Sequence, residues 1–248
     1  MVEPVYKFMR KSDVHFLLNG SLKFGSLETY RQQELKQGDK RIGDQNEGLS
    51  RNSMNFRYDA KTATTSDKRA LDNMAPFIKF FDGPLENLLV EECSFDVIAN
   101  CFVMSTSIAN QNNFAELTND INRDAGKNVY DGCVEIKDFL TLWKALRVSR
   151  LAAASDFADI PLDEIFAVQC GPVKYQPLTV HEFSINNQFR DADPLLKDLS
   201  YRHQREARFI LRPKVPKLIE YCARFSDLRV QVSNPQEHFR EIDLSPYL

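Results

Sequence analysis

Short apolar strands interleaved with amphipathic helices constrain the fold of this chain most. The sequence opens with a strand at "PVYKFM", a helix at "KSDVHFLLNG" and an alternating strand at "SLKFGSLETYR". The most apolar strand is "FDVIANCFVMSTSIAN", and "DFLTLWKALRVSRLAAA" has the spacing of a helix with one apolar face and with Asp138 or Thr141 as its candidate N-cap. This irregular order favours an α+β fold over regular βαβ alternation. We predict a single domain over residues 1–248, with a mixed, mostly antiparallel split sheet flanked by helices.

A polar stretch interrupts this pattern at about residues 32–72. Its centre, "GDKRIGDQNEGLSR", is rich in Gly, Asn, Asp and Lys and poor in apolar residues. Long polar segments between regular elements are typical of functional loops. We predict that an ordered loop or lid is inserted in the domain there.

Composition and charge argue against several classes of protein. The 248 residues carry a formal net charge of -3, and neither half is strongly basic, which is unlike a non-specific DNA-binding protein. The five cysteines include no CxxC pair, and the four histidines show no HxxxH or HxH spacing, so we predict no zinc site. No apolar run reaches the length of a membrane span. We expect a cytoplasmic protein with reduced thiols and no membrane partner.

The stretch "SYRHQREARFIL" is the most informative candidate for chemistry. At a period of two residues, its apolar side chains fall on one face, and Gln204, Glu206 and Arg208 fall on the other. A glutamate on a strand can orient a ribose hydroxyl and stabilise a developing positive charge. The alternative is a solvated strand face on which Glu206 pairs with a neighbouring arginine.

The strand "CFVMSTSI" ends in three hydroxyl residues, Ser105, Thr106 and Ser107. Ser105 and Ser107 share one face, and such hydroxyls can hold a carboxylate or a ribose by hydrogen bonding. The alternative is an ordinary exit from a strand into a loop. The sequence contains no GxGxxG, no GxxxxGK[ST] and no GxSxG motif, so the common nucleotide-binding and nucleophile-elbow signatures are absent.

A second group of acidic residues lies in the polar stretch. Glu34, Asp44 and Glu47, with the amide of Asn46, offer oxygen ligands suited to Mg²⁺ or Ca²⁺. Their spacing does not match an EF-hand loop, and solvated acidic residues are the alternative interpretation. If Glu206 joined them in space, a metal-dependent nuclease would be the expected activity.

The chain resembles a family of uncharacterised bacterial and prophage-borne proteins. The resemblance rests on the opening "YKFM…FLLNGSLKFGSLETYRQQE…IGDQNEG" and on the later order "CFVMSTS", "YDGCVEI", "CGPVKY" and "YRHQREARFIL". These short segments are spread over most of the chain. No activity of that family can be carried over to this sequence.

A second resemblance is to ADP-ribosyltransferases of the arginine–serine–glutamate type. It rests on the order of a first strand, a helix ending in "NG", an "STS" strand and a late "QxE" strand. It implies a split sheet around a cleft, with NAD as donor. It also implies Ser105, Thr106 and Ser107 as the serine motif, Glu206 as the catalytic glutamate and Gln204 as the residue that positions the acceptor.

The first strand departs from that family, which carries an arginine or histidine there to hold the dinucleotide. Here the strand reads Val-Tyr-Lys-Phe-Met, and Lys7 is the candidate phosphate contact. Tyr30 and Arg31 are candidates to supply a stacking ring and a cation from the following strand.

Three hypotheses about function follow from the sequence. The first is a transferase-like protein that uses NAD or another nucleotide, with ADP-ribosyl transfer in bacterial or phage conflict as its specific form and a protein or nucleic acid as the unidentified acceptor. The second is the metal-dependent nuclease. The third is a non-catalytic binding or immunity protein.

Overall fold

A computed structural model of the chain describes residues 4–37, 46, 48–74, 87–109, 113–122, 130–152, 157–183, 192–214, 218–220 and 224–247. Its strands are β1 (Val5–Met9), β2 (Ser21–Ser26), β3 (Leu49–Asp59), β4 (Asn87–Ile98), β5 (Phe102–Ile108), β6 (Gly132–Ile136), β7 (Arg150–Leu151), β8 (Phe166–Pro172), β9 (Lys174–Tyr175), β10 (His181–Phe183), β11 (Leu196–Lys197), β12 (Glu206–Pro213), β13 (Asp227–Gln231) and β14 (Phe239–Ile242). The α-helices are α1 (Val14–Leu18), α2 (Leu27–Gln37), α3 (Thr65–Met74), α4 (Phe114–Asn122), α5 (Phe139–Val148), α6 (Leu162–Ile165) and α7 (Pro235–His238), and 3₁₀ helices cover Lys11–Asp13 and Leu199–Gln204.

Contacts divide the chain into two compact units. Unit 1 comprises Met1–Glu47, Asn100–Pro177 and Pro194–Leu248, and unit 2 comprises Gly48–Ala99 and Leu178–Asp193. None of the helices in the described ranges is both long and apolar enough to cross a membrane.

Unit 1 is built on a sheet of nine strands among the described residues. Its main path runs β14-β6-β1-β5-β2-β13-β7, and β12 joins β5 to β8. All of these pairings are antiparallel, which confirms the predicted mixed fold with a mostly antiparallel sheet. The strand β5 is central because it pairs with β12, β1 and β2.

Helices cover both faces of this sheet because its strands are apolar on both sides. On one face, Leu142 and Leu146 of α5 pack in a core with Phe102, Met104 and Phe209. Of the two candidate caps, Asp138 is the one that begins α5, since its carboxylate accepts a hydrogen bond from Thr141 N. On the other face, α4 contributes a smaller apolar cluster that contains Tyr6, Phe8, Phe114, Leu117 and Cys133. Both core faces come from the alternation of side chains along β1 and β5.

Unit 2 contains a three-stranded sheet in the order β10-β3-β4. β3 pairs antiparallel with β4 and parallel with β10. Met54, Phe56 and Tyr58 lie on one face of β3 and pack against Ala70 of α3. Much of the interval 32–72 therefore has regular structure, with the end of α2, β3 and most of α3, where the sequence had indicated a loop or lid with little core of its own. The alternation along β3 is partly formed by polar residues such as Ser50 and Asn52, which hid the strand from an apolar pattern.

Candidate functional site

The candidate site is centred on Glu206, the first residue of β12. Gln204 does not share that strand, because it ends the 3₁₀ helix Leu199–Gln204. Arg205 lies between them with φ 46°, in the left-handed region that residues other than Gly and Asn seldom adopt. The predicted Gln-x-Glu-x-Arg strand face is therefore wrong at Gln204 and right for Glu206 and Arg208.

Glu206 lies in a buried ionic network with a lysine and an arginine. Its Oε1 accepts from Lys197 Nζ at 2.6 Å, and its Oε2 accepts from Arg208 Nε at 2.9 Å and lies 2.8 Å from Arg208 Nη2. Glu206 is 6% exposed, Lys197 3% and Arg208 0%. Gln204 is also part of this network, since its Oε1 accepts a hydrogen bond from the same Lys197 Nζ at 2.6 Å. The interpretation of this face as solvated is wrong, because the charges are buried and paired.

Further groups hold this network in place. The Tyr175 hydroxyl accepts a hydrogen bond from Glu206 N at 2.7 Å, and the Pro194 carbonyl accepts one from Arg208 Nη1 at 2.6 Å. Lys197 Nζ lies 4.7 Å from the centre of the Tyr201 ring, within the range of a cation–π contact. Removing a charged group from water is costly unless hydrogen bonds replace its hydration, and these contacts supply them.

The network keeps the Glu206 carboxylate ionised. Burial raises the pKa of this carboxyl, but the charges of Arg208 and Lys197 and the hydrogen bonds from both outweigh burial and lower the pKa to about 2. The group therefore carries a negative charge at neutral pH and acts as an acceptor of hydrogen bonds, not as a proton donor.

The predicted serine motif lies directly beside this network. In the antiparallel pairing of β5 with β12, Ser107 is opposite Glu206 and Ser105 is opposite Arg208. Directly opposite residues project from the same face, so both serines share the face of Glu206. Thr106 projects to the other face, where its buried hydroxyl donates to the Ala207 carbonyl at 2.7 Å. Thr106 is thus part of the sheet's own bonding.

The serine hydroxyls were candidates to hold the Glu206 carboxylate, but other residues form its hydrogen bonds. Within the described part of the chain, the Glu206 oxygens are bonded to Lys197 and Arg208, and no bond joins them to the hydroxyls of Ser105 or Ser107. The serines therefore lie beside the carboxylate, whereas Lys197 and Arg208 hold it in position.

Lys7 occupies an interruption of the sheet. β1 pairs with β5 at residues 107–108 and β2 pairs with it at residues 102–103, so the two strands meet opposite ends of the same edge. Between these pairings, the Lys7 ammonium donates to the Ser105 carbonyl at 2.7 Å. Burial lowers the pKa of Lys7 to about 8; the Glu206 charge acts in the opposite direction, and the Lys23 charge lowers it further. The amine is thus a second ionisable group at the β5 edge.

Tyr30 and Arg31 lie on α2 instead of the predicted strand, because β2 ends at Ser26. A Cβ added to Gly25 would lie 2.6 Å from the Tyr30 hydroxyl oxygen, so Tyr30 lies directly over the backbone of β2. The Arg31 side chain is buried and its Nη2 donates to Glu28 Oε2 at 2.7 Å. Arg31 is engaged within its own helix.

The alternative carboxylate site falls mostly outside the described residues. Asp44 and Glu47 are among the residues that the structure does not describe, and Glu34 lies on α2 with its side chain not described. Over the described ranges, no group of three or more His, Cys, Asp or Glu residues is placed to hold a metal ion.

Lys197 and Tyr175 are components of the site that the sequence analysis missed. Lys197 lies nine residues before Glu206 and forms part of β11, which is only two residues long. The one local signal is its position next to Leu195 and Leu196, where a buried strand would place a charge in the interior. Tyr175 follows β8 after Gly171 and Pro172, and its contact with Glu206 depends on the pairing of β8 with β12.

Comparison with protein-family models, with curated proteins and with solved structures finds no match for this chain. In unit 1, the main sheet is antiparallel and helices pack on both of its faces. The candidate roles of its residues therefore rest on the geometry of the site.

Proposed function

We propose that unit 1 is an ADP-ribosyltransferase-like domain that uses NAD, or a related nucleotide, as the donor of a ribosyl group. Glu206 would be its catalytic carboxylate. The proposed setting is the cytoplasm, in conflict between bacteria and phages, with a protein or a nucleic acid as acceptor.

The observation that supports this proposal is the fixed, ionised carboxylate of Glu206 beside Ser107 on a shared strand face. Cleavage of the bond between nicotinamide and ribose builds positive charge on the ribose C1 carbon as neutral nicotinamide leaves. A preorganised anion stabilises that charge more than it stabilises the ground state, because the charge is greatest in the transition state. A carboxylate whose pKa is about 2 is available for this role at every physiological pH.

The neighbouring residues suit a polyhydroxylated, negatively charged ligand. Ser105 and Ser107 place two hydroxyls on the face of Glu206, where they would contact the ribose hydroxyls. Lys7, at the interruption between β1 and β2, would contact a phosphate oxygen. Tyr30 would stack on a ring of the nucleotide, and Arg31 would supply a cation from its position in α2. Gln204 would face the acceptor only after giving up its bond to Lys197.

Nicotinamide release by the purified full chain tests the proposal, with NAD as substrate and water or added protein as acceptor. Glu206→Gln keeps the shape of the side chain and removes its charge, so we expect release to fall by at least about 100-fold. The matched control is Glu135→Gln, which removes another strand glutamate paired with an arginine, Arg240. Circular dichroism and thermal unfolding are measured to check that both variants fold.

Three results would decide against the proposal. If the wild-type protein neither binds NAD nor releases nicotinamide, NAD is not its ligand. Equal nicotinamide release by Glu206→Gln and wild type would show that Glu206 takes no part in the reaction. Equal loss in the Glu135→Gln control would show that the assay reports the stability of the sheet and not the site.

A further inference from the structure

The strand β4 lies at one edge of the three-stranded sheet of unit 2, and among the described strands it pairs with β3 alone. Just beyond the end of this ladder, Ala99 N donates to Gly48 O at 2.8 Å, which marks a hydrogen-bonded pair. By alternation, Ser94, Asp96 and Ile98 lie at non-hydrogen-bonded positions, so their backbone N–H and C=O groups point away from β3. Backbone groups directed outward in this way are a template for a further strand.

The sequence of β4 lacks the residues that usually keep an edge from pairing. Its 12 residues, "NLLVEECSFDVI", include no proline, lysine or arginine. The shift of register between Met54 and Phe56 interrupts the ladder once, and residues 93–98 continue it without a further break. We call residues 93–98 the open edge. Large apolar side chains are exposed near both ends of the strand, at Leu89 (62%) and Ile98 (53%).

The charge on this edge is negative. Glu91 and Asp96 are exposed, whereas the exposed arginines of the same sheet, Arg51 and Arg57, belong to β3 and lie one strand further away. Asp96 Oδ1 lies 3.8 Å from Arg51 Nε, and an exposed pair of that kind contributes little. Directly opposite side chains in a sheet interact most strongly, so a strand added beside β4 is favoured when it places a cation opposite Asp96.

The same charges disfavour a second copy of this chain as the added strand. Two copies paired antiparallel through the open edge would bring Glu91 and Asp96 of both copies onto one ribbon. No lysine or arginine of β4 would offset these four carboxylates. Like charges on neighbouring strands destabilise the pairing, so the edge suits a partner of opposite charge.

We propose that the open edge of β4 binds an extended segment of a partner protein in which basic residues alternate with apolar ones. Main-chain hydrogen bonds to Ser94, Asp96 and Ile98 would provide affinity, as in other cases of strand addition. Basic side chains would lie on the face of Asp96. Apolar side chains would lie on the other face, beside the half-buried Cys93 and Val97. This inference concerns unit 2 and does not depend on NAD as a substrate.

Fluorescence anisotropy with the full chain tests the proposal, and the probe is a short labelled peptide of alternating lysine and valine, capped at both ends. Ser94→Pro removes an N–H that points toward the added strand and leaves the bonds to β3 in place, because proline is tolerated at such edge positions. We expect it to weaken binding by at least about tenfold, whereas the matched variant Ser94→Ala keeps the N–H and should bind as wild type does. Circular dichroism is measured to check that both variants fold.

Charge is tested on both partners. Asp96→Lys replaces an attraction by a repulsion, so it should weaken binding of the lysine peptide by about tenfold. A peptide with glutamate in place of lysine should bind wild type more weakly and Asp96→Lys more tightly.

Four results would overturn the proposal. The first is no binding of the lysine peptide at concentrations up to about 1 mM, which corresponds to less than about 4 kcal/mol of binding free energy. The second is equal affinity of Ser94→Pro and Ser94→Ala, which would show that the peptide binds elsewhere by charge alone. The third is equal binding of the lysine and glutamate peptides. The fourth is a dimer of the wild-type chain in sedimentation that Ser94→Pro abolishes, which would assign the edge to a second copy.

Discussion

Ser107 lies directly opposite Glu206 in the pairing of β5 with β12, and the two residues form a non-hydrogen-bonded pair. The assignment follows from the bond between Ile108 N and Arg205 O, which makes the adjacent pair a hydrogen-bonded one. Side chains approach most closely at non-hydrogen-bonded positions, so a ligand bound by the Ser107 hydroxyl would lie beside the carboxylate. A shift of β12 by one residue would turn Glu206 to the opposite face of the sheet.

The left-handed conformation of Arg205 helps to set that register, and it provides the first prediction. With φ 46°, Arg205 adopts a conformation that costs an L-residue about 1 kcal/mol, whereas glycine adopts it freely. We expect Arg205→Gly to raise the free energy of unfolding by about 1 kcal/mol relative to Arg205→Ala. The measurement is urea unfolding of both variants.

Arg205→Ala is the matched control because both variants lose the ion pair with Glu116, whose carboxylate is exposed. That pair alone contributes less than about 1 kcal/mol. If the glycine variant is no more stable than the alanine variant, the turn before Glu206 does not hold Arg205 in the left-handed region.

The second prediction concerns the coupling between Lys197 and Glu206. Removal of one partner of a buried pair leaves the other charge uncompensated, so Lys197→Met should lower the free energy of unfolding by about 3 kcal/mol or more. The double variant with Glu206→Gln should lose less than the sum of the single variants, with a coupling energy above about 1 kcal/mol. The same cycle on Arg240 and Glu135, where Arg240 is largely exposed, should give a smaller coupling. Equal couplings in the two cycles would contradict the buried network.

Local signals in the sequence predicted some of the elements, such as α5, while the network around Glu206 depends on distant contacts. The helix that begins after Asp138 was predicted because its cap and its apolar spacing lie within a few residues of each other. The period-two interpretation failed at Gln204 because no local pattern marked Arg205 as left-handed. Lys197 reaches the carboxylate across the 3₁₀ helix that lies between the two residues in the sequence, and no local pattern predicts that contact.

The period-two pattern of the sequence also did not predict that Arg208 is buried. A charged residue that alternates with apolar ones ordinarily faces solvent, and a solvated face was the alternative interpretation of this stretch. The structure buries Arg208 completely because Glu206 and the Pro194 carbonyl satisfy its donors. The period of two already placed Glu206 beside Arg208, whereas the Pro194 carbonyl is recognisable as a partner only once the segment around residue 194 is placed in space.

The third prediction is a dependence of stability on pH that arises from Glu206. The carboxyl has its ordinary pKa near 4.5 in the unfolded chain and a pKa of about 2 in the folded protein. Its contribution to stability is therefore complete above about pH 5 and is lost as the pH falls toward about 2. In Glu206→Gln this dependence is absent, so the difference in unfolding free energy between wild type and variant should shrink over that range, by up to about 3 kcal/mol. Urea unfolding from about pH 6 down to the lowest pH at which both proteins fold measures it, and a constant difference would show that the network does not hold the carboxylate ionised.

The last prediction concerns Tyr30 and the glycine beneath it. A Cβ at Gly25 would lie 2.6 Å from the Tyr30 hydroxyl oxygen and 2.7 Å from its Cζ, so Gly25→Ala must displace the ring. We expect this variant to lose about 1–3 kcal/mol of unfolding free energy, as overpacked positions do. In a Tyr30→Ala background the ring is absent, so the same change should cost less than about 0.5 kcal/mol. Urea unfolding of the four proteins gives the coupling, and equal costs of Gly25→Ala in both backgrounds would show that Tyr30 does not lie over β2.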